Sequence, residues 1–79
     1  MTRIMRGQHY ALDSYGNGFA YELIDTLAEQ SVFVQGDDAS QLWNDIEGIE
    51  AVHPDWSPDA LLAYAWDECN YGSVAEAVQ

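Results

Sequence analysis

The stretch that decides the fold is "QHYALDSYGNGFAYELI", Gln8 to Ile24. Tyr10 and Leu12 alternate with His9, Ala11 and Asp13, and Phe19, Tyr21 and Leu23 alternate with Ala20, Glu22 and Ile24. Period two is the signature of a strand with one face buried, and "YGNG" between the two runs is a hairpin turn, with glycines and Asn17 able to take positive φ. A two-residue Asn17-Gly18 loop would set Asp13 across from Glu22, two like charges. Pairing Ser14 with Phe19 sets Asp13 against Ala20 and is the expected register, with Tyr10, Leu12, Phe19, Tyr21 and Leu23 on one face.

Outward from the hairpin, a short loop around "DTLAEQ" leads to "SVFVQG", a third strand that Gly36 ends. Asp37 or Asp38 is the expected N-cap of a first helix, on which Ala39, Leu42, Trp43, Ile46 and Ile49 recur at three- and four-residue steps until His53 and Pro54. The connector "PDWSPD" offers Ser57 as cap and Pro58 as first residue of a second helix, which runs to about Asn70. Leu61, Leu62, Ala65, Trp66 and Cys69 form its buried side, and Gly72 is the expected stop. Neither helix is stable alone, and a bare sheet leaves an apolar face wet. The expected fold is therefore α+β, a three-stranded antiparallel β-meander with two helices packed on one face. One small domain spans residues 1–79, with a flexible N-terminus at 1–6 and a loose tail at 73–79.

Composition limits the function. The chain has 79 residues, 14 acids and two basic residues, Arg3 and Arg6, for a formal net charge of −12. From Gly7 onward there is no Lys or Arg. Such a charge argues against direct contact with nucleic acid or anionic lipid, both themselves negative. Hydrophobic residues make up 48 %, too many for an acidic disordered tail, and no run approaches a membrane span. Cys69 is the single cysteine, and polar residues follow the two arginines where a signal peptide would be apolar, so a cytoplasmic protein is expected.

Catalytic and metal motifs are missing from the residues. Cys69 lies on an apolar stripe, His53 stands at a helix end, and neither has a nucleophile-activating neighbourhood. "GDDAS" and "DECNY" do not follow the twelve-residue calcium loop, and one Cys with two His is too few for zinc. The chain is read as no enzyme, with no cofactor and no metal.

The acids themselves are the informative feature. At 100° per residue the first helix puts Asp38 and Asp45 along one flank of its apolar stripe and Glu47 and Glu50 along the other. Asp37 precedes them, Asp55 lies in the connector, and the second helix exposes Asp59, Asp67 and Glu68. Carboxylates about 6 Å apart repel by roughly 0.7 kcal/mol even in water, so a fold that collects them gives up stability. Their spacings, roughly 6 to 10 Å, are on the scale of nucleic-acid phosphates, as a surface complementary to a nucleic-acid-binding groove would require. A solvated face serving only solubility is the competing reading. Trp56, held between Pro54 and Pro58, has no helical stripe to join and is a candidate interface anchor.

Small size, acidity and an aromatic-rich helical surface, together with "YGNGFAYELIDTLAEQSVFVQGDDA" (15–39), resemble the anti-CRISPR proteins encoded by phages and mobile elements, and more broadly the acidic DNA mimics. The resemblance implies an inhibitor acting in a bacterial host cell. Its partner would be a basic nucleic-acid-binding complex, a CRISPR effector of the Cascade type, with type I preferred. Such inhibitors share no motif, so the partner-binding residues Asp37, Asp38, Asp45, Glu47, Glu50, Asp55, Trp56, Asp59, Asp67 and Glu68 come from the charge pattern alone. Two alternatives stay open: a barstar-like inhibitor or immunity protein of a toxic nuclease, and an acidic phage structural or host-interaction protein.

Overall fold

The computed structural model describes residues 2–16 and 19–77, with side chains for 4–16 and 19–75. Its elements are β1 (Thr2–Arg6), β2 (Tyr10–Tyr15), β3 (Ala20–Asp25), β4 (Gln30–Gln35), α1 (Asp37–Val52), α2 (Pro58–Asp67), a 3-10 turn (Tyr71–Val74) and β5 (Glu76–Ala77). The α+β class stands, with both helices on one face of the sheet. The sheet itself is larger than the expected meander. Four full strands and a two-residue fifth pair antiparallel in chain order.

Residues 2–6, read from the sequence as part of a flexible N-terminus, form β1. Its sequence, "TRIMR", carries both arginines and shows no alternation, but β2 needs it. Ala11 and Asp13, on the side of β2 facing away from the helices, are as buried as the core residues, and the outer backbone groups of β2 find partners in β1. The pairing slips between Arg3 and Met5, and such an irregularity blunts an exposed sheet edge. Of the expected tail at 73–79, residues 73–77 run through the end of the 3-10 turn and β5 beside β4. Val78 and Gln79 lie outside the described residues.

The hairpin adopts the register that charge alone disfavoured. Asp13 stands opposite Glu22, Leu12 opposite Leu23 and Ser14 opposite Tyr21. The turn closes with the Phe19 N–H donating to the Gly16 carbonyl at 3.3 Å, and Gly16 takes φ +61°; Asn17 and Gly18, for which positive φ was expected, lie outside the described residues. Leu–Leu pairing at the centre of the core outweighs a repulsion of order 1 kcal/mol. That repulsion is also eased, because the Tyr15 hydroxyl donates to Glu22 Oε1 at 2.8 Å. The same register corrects the placement of Phe19. It falls in the turn and is 71 % exposed, while Tyr10, Leu12, Tyr21 and Leu23 are buried.

Val32 and Val34 of β4 complete the sheet side of the core. Ala39, Leu42, Ile46 and Ile49 of α1 and Leu61, Leu62, Ala65 and Trp66 of α2 close it from above. Trp43, half-buried, stacks on Tyr21 with ring centroids 5.7 Å apart. The N-cap of α1 is Gly36, at φ +63°, with no side-chain cap. Asp37 and Asp38 are thus one step inside the helix, where their charges favour the positive end of the dipole without capping it. Ser57 caps α2 as expected, its Oγ accepting from the Ala60 N–H at 3.2 Å. α2 stops at Asp67, short of the expected end, and Asn70 takes the left-handed conformation at φ +64°. Gly72 therefore does not end the helix. A Cβ there would run into the Trp66 indole, so glycine is what lets the chain cross over that ring.

Candidate partner-binding surface

The helical layer carries most of the exposed acid. Asp37 and Asp38 lie in the first turn of α1, Glu47 and Glu50 further along it, Asp55 in the connector, and Asp67 and Glu68 at the end of α2; all seven are exposed. Among the described residues, none of these seven accepts a hydrogen bond or ion pair from a side chain. The acids of the sheet are handled differently. Asp13 is buried, Glu22 accepts from Tyr15, and buried Asp25 accepts from His9 Nε2 at 2.9 Å and from the Ala28 N–H at 3.0 Å. Asp13, Glu22 and Asp25 of the sheet are thus buried or bound within the molecule, whereas these seven carboxylates of the helical layer are exposed.

Three of the expected site residues have work inside the fold. Asp59, on the first turn of α2, accepts three backbone N–H groups of the β1–β2 turn: Gln8 at 2.7 Å, and His9 and Tyr10 at 2.9 Å each. Such a nest of successive amides binds an anion, and here it ties the first hairpin to α2. Gly7 is part of the fit, since a Cβ there would overlap the Asp59 carboxylate. The Tyr10 and His9 amides hold the Asp59 pKa below its ordinary value, with burial opposing and Gln8 and His9 adding to the depression. A depressed carboxylate pKa contributes stability that is complete above the unfolded-state value and is lost as pH falls through the folded one. Asp59→Asn should therefore be less stable than wild type near neutral pH, and the gap should close below about pH 4. Urea midpoints at a series of pH values check this; a gap that persists unchanged at about pH 2 would refute it.

Asp45 is half-buried, unlike its neighbours in the charge pattern. Its Oδ2 accepts from the Tyr71 hydroxyl at 2.8 Å and its Oδ1 from Gln41 Nε2 at 2.9 Å. Burial, then the hydrogen bond and charge of Asp45, raise the Tyr71 phenol well above its usual range, so it stays a donor. Asp45 thereby pins the 3-10 turn to α1. Trp56 is half-buried, stacked face to face on His53 at 3.7 Å and tilted against Tyr64 at 5.9 Å. It packs at the margin of the core and joins an aromatic corner where the connector meets α2.

Beside that corner, α1 and α2 bound a groove of about 290 Å³. Its lining includes Asp45, Gly48, Ile49 and Val52 from α1, with Tyr64 and Cys69 opposite. Of these the sequence singled out only Asp45, and Ile49 and Cys69 as core. Gly48, Val52 and Tyr64 carry no signal of their own, because a groove belongs to two helices and its members are far apart in the chain. Burial, with Asp45 and Glu68 adding, raises the Cys69 thiol, which makes it a poor nucleophile at neutral pH. Among the described residues, no three His, Cys, Asp or Glu side chains are grouped to hold a metal ion, and no helix is long and apolar enough to cross a membrane.

A scan against protein-family models finds no matching family, and searches of the curated proteins and of the solved structures return no match.

Proposed function

We propose that this chain is an inhibitor that occupies the basic nucleic-acid-binding groove of a partner, a CRISPR surveillance complex of the Cascade type, and so blocks its target DNA. The observation that supports this reading is the set of seven exposed carboxylates of the helical layer that have no side-chain partner among the described residues, Asp37, Asp38, Glu47, Glu50, Asp55, Asp67 and Glu68. Their mutual repulsion is a cost in the free protein that a partner's Lys and Arg side chains would remove. Like DNA, the acidic layer would release the counterions of such a groove, giving fast association that salt weakens. Asp59, whose carboxylate is committed to three backbone amides, contributes field more than contact.

The test is a mobility-shift assay in which labelled target duplex and purified type I surveillance complexes are titrated with this protein at two salt concentrations. Loss of the shifted band, relieved by salt, is the expected result. An undisturbed shift across several type I subtypes would dismiss the CRISPR target and favour a toxic nuclease or a role in solubility alone.

A further inference from the structure

We infer that the groove between α1 and α2 is a socket for a single arginine side chain of the protein partner; this rests on the proposed inhibitor reading and names the chemistry the partner must present. Asp45, Gly48 and Val52 follow one another along one side of α1, at steps of three and four residues, so the groove runs about 10 Å along the helix. Its middle is open because Gly48 has no side chain, and a Cβ added there would meet nothing within 4 Å. The walls are mostly apolar and aromatic, from Ile49, Val52, Tyr64 and Cys69, with Asn44 and His53 also on the lining. Val52 is 72 % exposed and Tyr64 39 %, which leaves an aliphatic surface and a ring edge wet at the mouth.

The other end of the groove is a carboxylate already held in place. Tyr71 and Gln41 each take one lone pair of Asp45, one on each oxygen, and a carboxylate offers about four, so both oxygens keep accepting capacity. Two oxygens fixed in one plane match the forked donors of a guanidinium better than the point charge of an ammonium. Guanidinium is also the more weakly hydrated cation, so it loses less on entering an apolar groove, and it stacks on a tyrosine ring. The chain cannot fill the socket from its own helices, having no Lys or Arg after Arg6. The net charge of −12 draws a cationic side chain in, and the groove selects its shape.

The full chain, ¹⁵N-labelled, is titrated at physiological salt with N-acetyl-arginine amide, and in parallel with the lysine and citrulline analogues. Saturable amide shifts centred on Asp45, Gly48, Val52 and Tyr64 are expected with arginine, at least about threefold weaker with lysine and lost with neutral citrulline. Gly48→Leu and Gly48→Met, whose Cβ would meet no neighbour within 4 Å, place a large side chain at the groove and should cut the arginine affinity about tenfold or more, while Gly48→Ala, which leaves most of the space, should keep it. Arginine and lysine shifts of equal size spread over Asp37, Glu50 and Asp67 would overturn the socket in favour of diffuse counterion binding. So would arginine shifts unchanged in both filled variants. No partner complex is present in this titration, so an arginine-selective groove combined with an unaffected mobility shift would keep the socket and dismiss only the CRISPR target.

Discussion

Glu47→Lys combined with Glu50→Lys is expected to weaken inhibition by roughly 30- to 150-fold, about 2–3 kcal/mol, if these carboxylates face a basic groove. Each reversal exchanges an attraction for a repulsion of similar size, so its effect is about twice that of removing the charge. Both side chains are exposed on α1 and neither holds another side chain among the described residues, so the fold should not suffer. On the contrary, two cations placed among exposed acids should leave the thermal midpoint unchanged or slightly raised. The combination of lost binding and retained stability is what separates a functional surface from a solvated one. The measurement is the competition titration against target duplex at low and moderate salt, with the wild-type salt dependence becoming shallower in the variant. Equal potency of variant and wild type at low salt would assign the acidity to solubility. Asp45 would be a poor choice for the same test, because its loss also frees Tyr71 and the groove end.

The largest effect on stability is expected at Leu62. Its side chain is fully buried in α2 within the cluster that joins both helices to the sheet. Leu62→Ala removes apolar contact and leaves a cavity, a change that costs about 3–4 kcal/mol in a well-packed core. At about 0.05–0.15 kcal/mol per residue, a chain of 79 residues has only about 4–12 kcal/mol in all. The variant should thus unfold at a much lower urea concentration, followed through the fluorescence of the half-buried and buried tryptophans. A cost under about 1 kcal/mol would mean that the helices close over the sheet less tightly than the packing indicates. Leu61, also buried, provides an independent repeat of the measurement on the same helix.

Much of the architecture is legible from local pattern. Alternation in 10–15 and 19–24, three-and-four spacing in Ala39, Leu42, Ile46 and Ile49, and Ser57-Pro58 at a helix start each speak through neighbours in the chain. β1 is silent because its strand is stabilised by what it pairs with, not by its own composition. The hairpin register misleads because one charge pair is visible in the sequence, whereas the Tyr15 hydroxyl on Glu22 and the Leu12–Leu23 contact depend on three-dimensional pairing. The candidate surface divides the same way. The excess of acid is plain from composition, yet Asp59 is drawn onto amides some fifty positions away and Asp45 onto Tyr71, 26 positions away.

By itself, then, the sequence determined the class of fold, the face each helix buries and a charge that only an external cation can neutralise, since these follow from residue type and short-range periodicity. The tertiary structure alone decided which carboxylates are free to meet a partner. A carboxylate's role depends on the donors within about 3 Å of it, and in this chain those donors come from distant segments that only folding brings together.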